Sequence, residues 1–343
     1  MENRTLHSWM DSVEPFLAPL VDTADSFTEL TGVPVDLPTA LFLRAQLAGL
    51  ERPSRTSANG SCHLLGTADG WAAVNLARPD DLAAVPALLA ILGSPDEPGG
   101  LHAAVRRNTA TEVAEAARLL GIAAAVPGSA QGGRPAVHAE RWGERRFRAM
   151  AGIRVVDFSA LWAGPLCARL LGRAGARVVK VESATRPDGA RYGTPAFYRW
   201  LHDGHDSVVV DFVPGALDEI VAEADVVIEA SRPRALRRLG LRAEEFLAAR
   251  PGRVWVGITG YGRENDRIAF GDDAAVAGGL TGHGPDGDPV FLGDAFADPV
   301  TGVFAAQAVA RSLAEGGGEL LCVSMSACAA TLGDARTRAQ PPC

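Results

Sequence analysis

The sequence predicts an α/β fold: an open, mostly parallel Rossmann-like sheet flanked by helices, with a smaller N-terminal α+β region. The first observation is that short valine-rich runs alternate with helical patterns from residue 152 onward, an order typical of βαβ units. The second is that these runs are apolar almost throughout, as strands covered on both faces are. A sheet of this kind binds its ligand at the carboxyl ends of its strands.

The N-terminal region is predicted to contain helices around one hairpin. Two apolar runs within residues 62–77 flank the pair Asp69 and Gly70, and Asp-Gly is a strong signal for a tight hairpin turn. Asn108 or Thr109 is the expected cap of the helix that follows. Helices are predicted at 6–21, 37–51, 78–92 and 108–122.

The later elements make up the α/β part of the chain. Strands are predicted at 153–158, 176–182, 207–212, 225–230, 253–260 and 319–325, and helices at 163–174, 215–223, 233–240 and 298–318. Residues 261–298 contain many loop-forming residues, and Asp298 stands at the start of the long helix. We therefore divide the chain into a small helical and hairpin region at 1–127, a linker at 128–150 and an α/β core at 151–343.

Composition and charge exclude several classes of function. The chain has 343 residues and a formal net charge of −8, whereas nucleic-acid-binding proteins usually carry a basic face. No apolar run approaches the roughly 18 residues that a membrane helix needs, and the first residues lack an apolar signal core. We therefore predict a cytoplasmic protein without nucleic-acid or membrane partners. No metal site is predicted, because the cysteines form no C-x-x-C pair and His202 and His205 have no third ligand nearby.

The segment from Asp157 to Ser183 has the outline of a nucleotide-binding βαβ unit but lacks the usual phosphate-binding loop. Its glycines, Gly164, Gly172 and Gly175, are too far apart to form a G-x-G-x-x-G turn. The glycine spacing therefore leaves open which ligand this unit holds and with which groups.

Five blocks of the second half, taken in order, resemble the class III CoA-transferases. This family includes the formyl-CoA and carnitine-CoA transferases and, by relation, the α-methylacyl-CoA racemases. The blocks are "IRVVDFSALWAGPLCARLLGRAGARVVKVE" (153–182), "SVVVDF" (207–212), "ADVVIEASRPRALRRLGL" (224–241), "WVGITGYG" (255–262) and "GDAFADPVTGVFAAQAVARSL" (293–313). The segments at 66–89 and 106–130 resemble parts that the family carries near its C-terminus. The chain therefore resembles a permuted and shortened member.

The resemblance implies that Asp298 is the catalytic residue. Asp298 lies in "ADPVTG", directly before the long helix, where the family has its catalytic aspartate. The alternative is a helix N-cap, since an aspartate in that position commonly accepts backbone N–H bonds. Asp294 lies four residues earlier and is expected to be a solvated loop acid.

Further residues are implied to contact the substrate or CoA. They are Trp162, Ala163, Gly164, Pro165, Lys180, Arg232, Asp272 and Gly293. Backbone N–H groups around Gly164 or Gly293 are the candidates for stabilising an oxyanion. Three residues have a structural alternative: Trp162 as a core residue, Lys180 as a solvated charge at a strand end, and Asp272 as a solvated or capping acid.

The sequence departs from the family in its basic residues. The turn before the third strand reads "HDGHDSVVV", so His205 and Asp206 replace a basic pair that approaches CoA phosphates in many members, and Ser183 replaces an arginine of the formyl-CoA transferases. Phosphates prefer cationic partners, so CoA binding is expected to be weaker. A phosphopantetheine thioester on an acyl carrier protein is the alternative donor.

The function implied is acyl transfer: a thioester moves between carboxylic acids through a covalent intermediate on Asp298. CoA or acyl-CoA would be a substrate, with no tightly bound cofactor, and a homodimer is expected. One alternative is an acyl-CoA isomerase or racemase, which is disfavoured because Asp272 stands where racemases have a histidine. The other is a non-catalytic binding protein with the same fold.

Overall fold

A computed structural model describes residues 9–96, 98–231 and 234–339 of the chain. It contains twelve strands among these residues. They are β1 Cys62–Gly66, β2 Trp71–Asn75, β3 Ala123–Ala125, β4 Val137–Arg141, β5 Arg154–Asp157, β6 Arg177–Ser183, β7 Asp206–Val210, β8 Val226–Glu229, β9 Val254–Thr259, β10 Thr281–His283, β11 Pro289–Phe291 and β12 Glu319–Ser324.

Helices connect and cover these strands. They are α1 Ala18–Thr31, α2 Leu37–Ala48, α3 Pro79–Ala83, α4 Val85–Ile91, α5 Gly100–Val105, α6 Ala110–Leu119, α7 Ala163–Arg173, α8 Pro195–Leu201, α9 Asp218–Ala222, α10 Arg234–Arg238, α11 Ala243–Ala249, α12 Gly271–Ala277, α13 Ala297–Ala314 and α14 Met325–Ala339. Short 3-10 turns lie at Glu14–Phe16 and Gly189–Tyr192.

The predicted sheet is confirmed as a seven-stranded sheet with the order β4-β12-β9-β8-β5-β6-β7. All neighbouring pairs are parallel except β12 and β4, which pair antiparallel at one edge. The order reverses beside β5, because β6 follows on one side and β8 lies on the other. In open α/β sheets the crevice at such a reversal, outside the carboxyl ends of the strands, is the usual place for a ligand.

The smaller sheet lies in the N-terminal region and is antiparallel, with the order β1-β2-β3. Its first two strands form the predicted hairpin, in which Gly66 pairs with Trp71 across the Asp-Gly turn. Thr109 is the cap of α6: its side chain accepts a bond from the N–H of Glu112, and Glu112 accepts one from the N–H of Thr109. Such a reciprocal pair fixes the first turn of a helix.

Helices α1 and α2 belong to the main hydrophobic core of this chain. Phe27 and Leu41 are fully buried in the same cluster as Leu166 of α7 and Val300 of α13. Burial of large apolar side chains is the main favourable term in folding, about 1.5–3 kcal/mol each. The N-terminal helices are therefore held against the α/β core, while the division of the chain into three parts stays a prediction.

Several predicted boundaries were wrong. Helix α1 continues ten residues beyond the predicted end at position 21 and stops at Thr31, where Gly32 takes the left-handed conformation that favours glycine. The helix predicted at 78–92 is two helices, α3 and α4, which meet at Ala84. The region predicted as loop at 261–298 contains α12. Its sequence "GDDAAVA" begins with glycine and two acids, which resembles a turn.

Within the part of the chain that the structure describes, no helix combines the length and apolar character needed to cross a membrane.

Candidate active site

Three helices begin around the carboxylate of Asp298. This residue is the second of α13, and the backbone N–H groups of Ala163 and Gly271, the first residues of α7 and α12, lie close enough to its carboxylate to lower its pKa. Helix N-termini carry partial positive charge that stabilises an anion. The predicted alternative, an N-cap of its own helix, was wrong, because Phe296 occupies that position. Asp298 instead joins α13 to two other helices.

Two local features place this carboxylate. Ala295 adopts a left-handed conformation with φ of 44°, which is uncommon outside glycine, and its carbonyl accepts the N–H of Asp298 at 2.9 Å. Gly271 leaves the space that the carboxylate fills: a Cβ there would lie 2.3 Å from Asp298 Oδ2 and 2.2 Å from the Ala295 oxygen. Only glycine permits this approach.

Asp298 is one of four carboxyl groups that we call the acid cluster, namely Asp272, Asp273, Asp294 and Asp298. The first three are buried, with exposures of 3%, 0% and 0%, whereas Asp298 is half-buried. Asp272 Oδ1 accepts the N–H of Ala295 at 2.9 Å. The cluster is therefore a connected structural unit as well as a concentration of negative charge.

Asp273 is held by a residue of the smaller sheet. Its Oδ1 accepts a bond from Asn75 Nδ2 at 3.0 Å and another from the N–H of Phe270 at 2.9 Å. Asn75 ends β2 and is buried. The N-terminal hairpin thus contributes directly to the acid cluster.

Arg44 on α2 is the cation of the acid cluster. Its Nε donates to Asp294 Oδ2 at 2.6 Å, and its Nη2 donates to Asp294 Oδ1. The guanidinium also lies over the ring of Trp162, 5.2 Å from its centroid, a distance suited to a cation–π contact. Asp294 was predicted to be a solvated loop acid, and this was wrong because the residue is fully buried in the ion pair.

Arg44 was not predicted to be a site residue, although one feature of the sequence indicated that it has a buried partner. Arg44 is a charged residue on a helix whose neighbouring positions Leu41 and Ala45 are buried. A charge beside a core face requires a partner of opposite sign. The partner lies 250 residues away along the chain, and nothing in the local sequence pattern identifies it.

Burial raises the pKa of three members of the acid cluster. The pKa of Asp298 rises to about 6, because desolvation outweighs the stabilising effects of Arg44 and of the N–H groups of Ala163 and Gly271. Desolvation and the nearby charge of Asp294 raise the pKa of Asp272 to about 8. Desolvation raises that of Asp273 to about 7, against the bond from Asn75. At neutral pH Asp298 is therefore ionised while Asp272 carries a proton.

These shifts predict that the acid cluster destabilises the fold as pH rises. A carboxyl group whose pKa is higher in the folded state than its unfolded value near 4 favours folding while protonated, and that contribution is lost as pH rises through the folded pKa. The window for Asp298, Asp273 and Asp272 thus runs from about pH 4 to about pH 8.

Asp272→Asn should therefore raise the free energy of unfolding more at pH 8 than at pH 5, by at least about 1.4 kcal/mol, the equivalent of one pKa unit. The amide keeps an oxygen for the N–H of Ala295 and cannot ionise. Urea unfolding at both pH values measures the difference, and Asp288→Asn, a 38% exposed acid, is the control. An equal effect of Asp272→Asn at the two pH values would contradict the assignment.

The turn before α7 is rigid and tightly packed. Trp162 is 2% exposed and meets Phe197 edge to face with ring centroids 5.0 Å apart, so it is a core residue that also contacts Arg44. Gly164 packs against Ser159, whose Oγ would lie 2.1 Å from an added Cβ. Pro165 is the third residue of α7. This turn therefore presents the Ala163 N–H to Asp298 in a fixed direction.

Lys180 stabilises the same turn before α7 through its ammonium group. Its ammonium donates to the carbonyl of Ser159 and lies 3.1 Å from Asp188 Oδ2. Asp188 Oδ1 in turn accepts the N–H of Leu161 at 2.8 Å, a residue held at a φ of 71°. The alternative of a solvated charge was wrong, since Lys180 is 1% exposed. A direct contact with CoA stays a prediction.

The remaining predicted contacts fall in different places. Gly293 packs against Phe296, whose ring would lie 2.7 Å from an added Cβ. Arg232 lies outside the described residues. His205 was expected at a position facing CoA phosphates, but both ring nitrogens are buried and Nε2 would lie 3.2 Å from a Cβ at Gly172. Burial lowers the pKa of His205 to about 4, so the ring is neutral at pH 7.

Among the residues described, no group of three or more His, Cys, Asp or Glu side chains has an arrangement that could hold a metal ion.

Comparison with known proteins decides the family. The family model for CoA-transferase family III matches residues 150–339, which is more than half of the chain. The chain belongs to CoA-transferase family III. Asp298, Asp272 and Asp294 lie inside the matched region, whereas Arg44 and Asn75 lie outside it.

Several named proteins are similar in sequence to part of this chain. The succinyl-CoA–L-malate CoA-transferase beta subunit of Chloroflexus aurantiacus is 35% identical over 143 residues, covering 38% of this chain and 35% of the relative. The succinate–glutarate CoA-transferase of Agrobacterium fabrum is 31% identical over 147 residues, covering 38% and 37%. A probable fatty acyl-CoA transferase of Mycobacterium tuberculosis, Rv3272, is 33% identical over 124 residues, covering 32% and 31%.

A crystal structure of the hypothetical protein Rv3272 from Mycobacterium tuberculosis has a TM-score of 0.50 and 28% identity, covering 57% of this chain and 59% of that one. The alignments to the three named relatives span 35%, 37% and 31% of their lengths.

Proposed function

We propose that this protein is an acyl transferase that moves a thioester between carboxylic acids through a covalent intermediate on Asp298. The observation that carries the proposal is the placement of this carboxylate: half-buried, ionised at neutral pH, and bonded to the N–H groups of Ala163 and Gly271. A carboxylate in such a site is both charged and fixed in direction, as a nucleophile must be.

The proposed reaction has balanced steps. The Asp298 carboxylate attacks the carbonyl of the donor thioester and expels the thiolate, which leaves a mixed anhydride. The thiolate then attacks the Asp298 carbonyl, releases the donor acid and leaves an aspartyl thioester. The acceptor carboxylate attacks that carbonyl and again expels the thiolate, giving a second anhydride. Attack of the thiolate on the acceptor carbonyl forms the new thioester and frees Asp298.

In this proposal, backbone N–H groups around Asp298 stabilise the negative charge that develops on oxygen during the reaction. The donors that bind the free carboxylate, Ala163 and Gly271, remain close to the Asp298 carbonyl oxygen when the thiolate attacks it. Preorganised donors of this kind are worth about 2.7–4 kcal/mol each to a developing oxyanion. The N–H groups near Gly164 and Gly293 stay candidates for the oxyanion on the acyl group.

CoA thioesters are the proposed donors, because the named relatives are CoA-transferases for succinyl-CoA, glutarate or fatty acyl-CoA. The side chains proposed to contact the substrate or CoA are those of Trp162, Lys180, Asp272 and Arg232. No tightly bound cofactor is required by the steps above. The buried His205 supports the expectation that this chain lacks the basic contact of other members, and a carrier-bound phosphopantetheine thioester is the alternative donor.

Acyl transfer and isomerisation predict different isotope patterns. In D₂O, an isomerase or racemase incorporates deuterium at the α-carbon of an acyl-CoA, whereas a transferase exchanges labelled carboxylate into the thioester without it. We expect carboxylate exchange alone across a panel of acyl-CoA donors. Deuterium wash-in would favour the isomerase, and neither signal together with a tightly bound protein partner would favour a non-catalytic binding protein.

We also propose a homodimer, as the family resemblance implies, and, separately, a location in the cytoplasm. The edge strand β7 leaves Val209 61% exposed, and Val213 beyond it is 53% exposed. Exposed apolar side chains beside an unpaired strand edge are common at contacts between chains. Light scattering at micromolar concentration should give twice the mass of one chain, and a uniform monomer would contradict the proposal.

A further inference from the structure

The segment that carries Asp298 is fastened from both sides. Asp294 is held by Arg44 through two hydrogen bonds, and the N–H of Ala295 is held by Asp272. Between these two anchors Ala295 keeps its left-handed conformation, which costs free energy in a residue with a Cβ. Such a conformation persists only where the surroundings impose it. The direction of Asp298, three residues later, therefore depends on both anchors.

Of the two anchors, Arg44 and Asp272, Arg44 also carries a positive charge. It lies on α2, outside the region that matches the family model, and its guanidinium is partly exposed, at 28%. Charged and titratable groups reach Asp298 from several elements: Arg44 from α2, Asp272 and Asp273 from α12, and Asp294 from the preceding turn.

Two neighbouring helices contribute uncharged groups. Helix α7 contributes the Ala163 N–H. Cys328 of α14 is neutral, because burial raises the pKa of its thiol to about 12. Among the described residues, Arg44 is a cation that lowers the pKa of Asp298 and so offsets the carboxylates around it.

We propose that Arg44 is a positioning residue for Asp298: through its pair with Asp294 and its contact with Trp162 it fixes the turn at Ala295, and its charge keeps Asp298 ionised. This inference rests on the proposed function for its effect on turnover. The stacking on Trp162 matters because that residue directly precedes Ala163, whose N–H binds Asp298. Arg44 therefore contacts the turn that leads into Asp298, through Asp294, and the turn that leads into Ala163, through Trp162.

The test separates charge from geometry. Arg44→Met removes the cation and keeps most of the side-chain length, whereas Arg44→Lys keeps the cation and loses the two-bond geometry. Arg55→Met is the control, since Arg55 is 56% exposed and paired to Asp288 on the surface. In case Arg44→Met leaves Asp294 as an uncompensated buried charge and fails to fold, the double variant Arg44→Met with Asp294→Leu removes both.

We expect Arg44→Met, or the double variant, to lower kcat about ten- to a hundredfold with little change in KM, as misplacement of a reacting group does. In Arg44→Met the acid limb of the kcat/KM profile should move to higher pH by about one unit. In the double variant the shift should be smaller, because the charge of Asp294, which raises the pKa of Asp298, is removed as well. Arg44→Lys should lower kcat while leaving the acid limb in place. Arg55→Met should change neither quantity. An unchanged kcat and an unchanged acid limb in Arg44→Met would overturn the inference.

A second readout does not depend on activity. Carbon-13 NMR of the protein labelled at aspartate Cγ follows the titration of Asp298, whose signal is identified by its loss in Asp298→Asn. We expect that titration to move to higher pH in Arg44→Met and not in Arg55→Met, and an unchanged titration would overturn the role of the charge. If the unmodified protein shows no carboxylate exchange, the proposed function fails, and the NMR result still decides whether Arg44 keeps Asp298 ionised.

Discussion

Asp298→Asn should abolish acyl transfer, lowering turnover by at least about a thousandfold, as loss of a covalent nucleophile does. The amide has nearly the same size and keeps an oxygen that can accept from the N–H of Ala163 or Gly271. It carries no negative charge, however, and is a poor nucleophile. We therefore expect the far-UV circular dichroism to stay the same and the unfolding midpoint at neutral pH to be no lower than that of the unmodified protein, because the amide removes a carboxyl group whose pKa is raised by burial, while turnover is lost.

A surface acid serves as the control for this substitution. Asp203→Asn changes a side chain that is 79% exposed and 3.9 Å from Arg169, so turnover should stay within about twofold of the original value, as surface changes seldom matter. Asp294→Asn is not a neutral control, because it breaks the buried pair with Arg44. Retained activity in Asp298→Asn would move the assignment to another member of the acid cluster.

Gly271→Ala should reduce turnover by about a hundredfold, the cost of misplacing a reacting group by roughly 1 Å. The added methyl group would overlap Asp298 Oδ2 at 2.3 Å and the Ala295 carbonyl at 2.2 Å. One of those groups must move, and either movement turns the carboxylate away from its two N–H donors. The loss should appear in kcat, because Gly271 positions the nucleophile and is not one of the proposed CoA contacts.

Gly66→Ala is the matched control, since the nearest atom to its added Cβ is 4.0 Å away and the residue lies in strand β1, where alanine is permitted. Steady-state kinetics of both variants measure the effect. Equal activity of Gly271→Ala and Gly66→Ala would mean that the close contact at Asp298 is irrelevant to turnover.

The sequence was sufficient for the six parallel strands of the sheet because the determining signals are local, whereas the antiparallel edge strand β4 lies in the predicted linker. The run "IRVVDF" is apolar on both faces and is followed by a helix start at Ala163 and Gly164, and the structure places β5 and α7 there. A pattern of this kind repeats in each βαβ unit, so the fold class followed directly. Asp298 was found because it lies in a recognisable block at the start of the long helix.

The environment of Asp298 could not be predicted in the same way. Arg44 meets Asp294 across 250 residues, and Asn75 meets Asp273 across 198. Contacts so distant in the chain leave no periodicity in the local sequence, so Asp294 was assigned to solvent. Lys180 was misjudged for a different reason: Asp188, its closest acidic partner, is near in the chain, but it lies on the loop after β6 and the strand pattern does not show that this loop folds back over Lys180. A local sequence pattern indicates which secondary structure a segment forms. The burial of its side chains depends instead on which other segments pack over it.

The most direct test of the central claim is to trap the covalent intermediate. The protein is incubated with an acyl-CoA donor, quenched with hydroxylamine or borohydride, digested and analysed by peptide mass spectrometry. We expect a hydroxamate or a reduced side chain on Asp298 that requires the donor and is absent from Asp298→Asn. A donor-dependent adduct on another residue, or carboxylate exchange that proceeds at full rate with no adduct on Asp298, would contradict it.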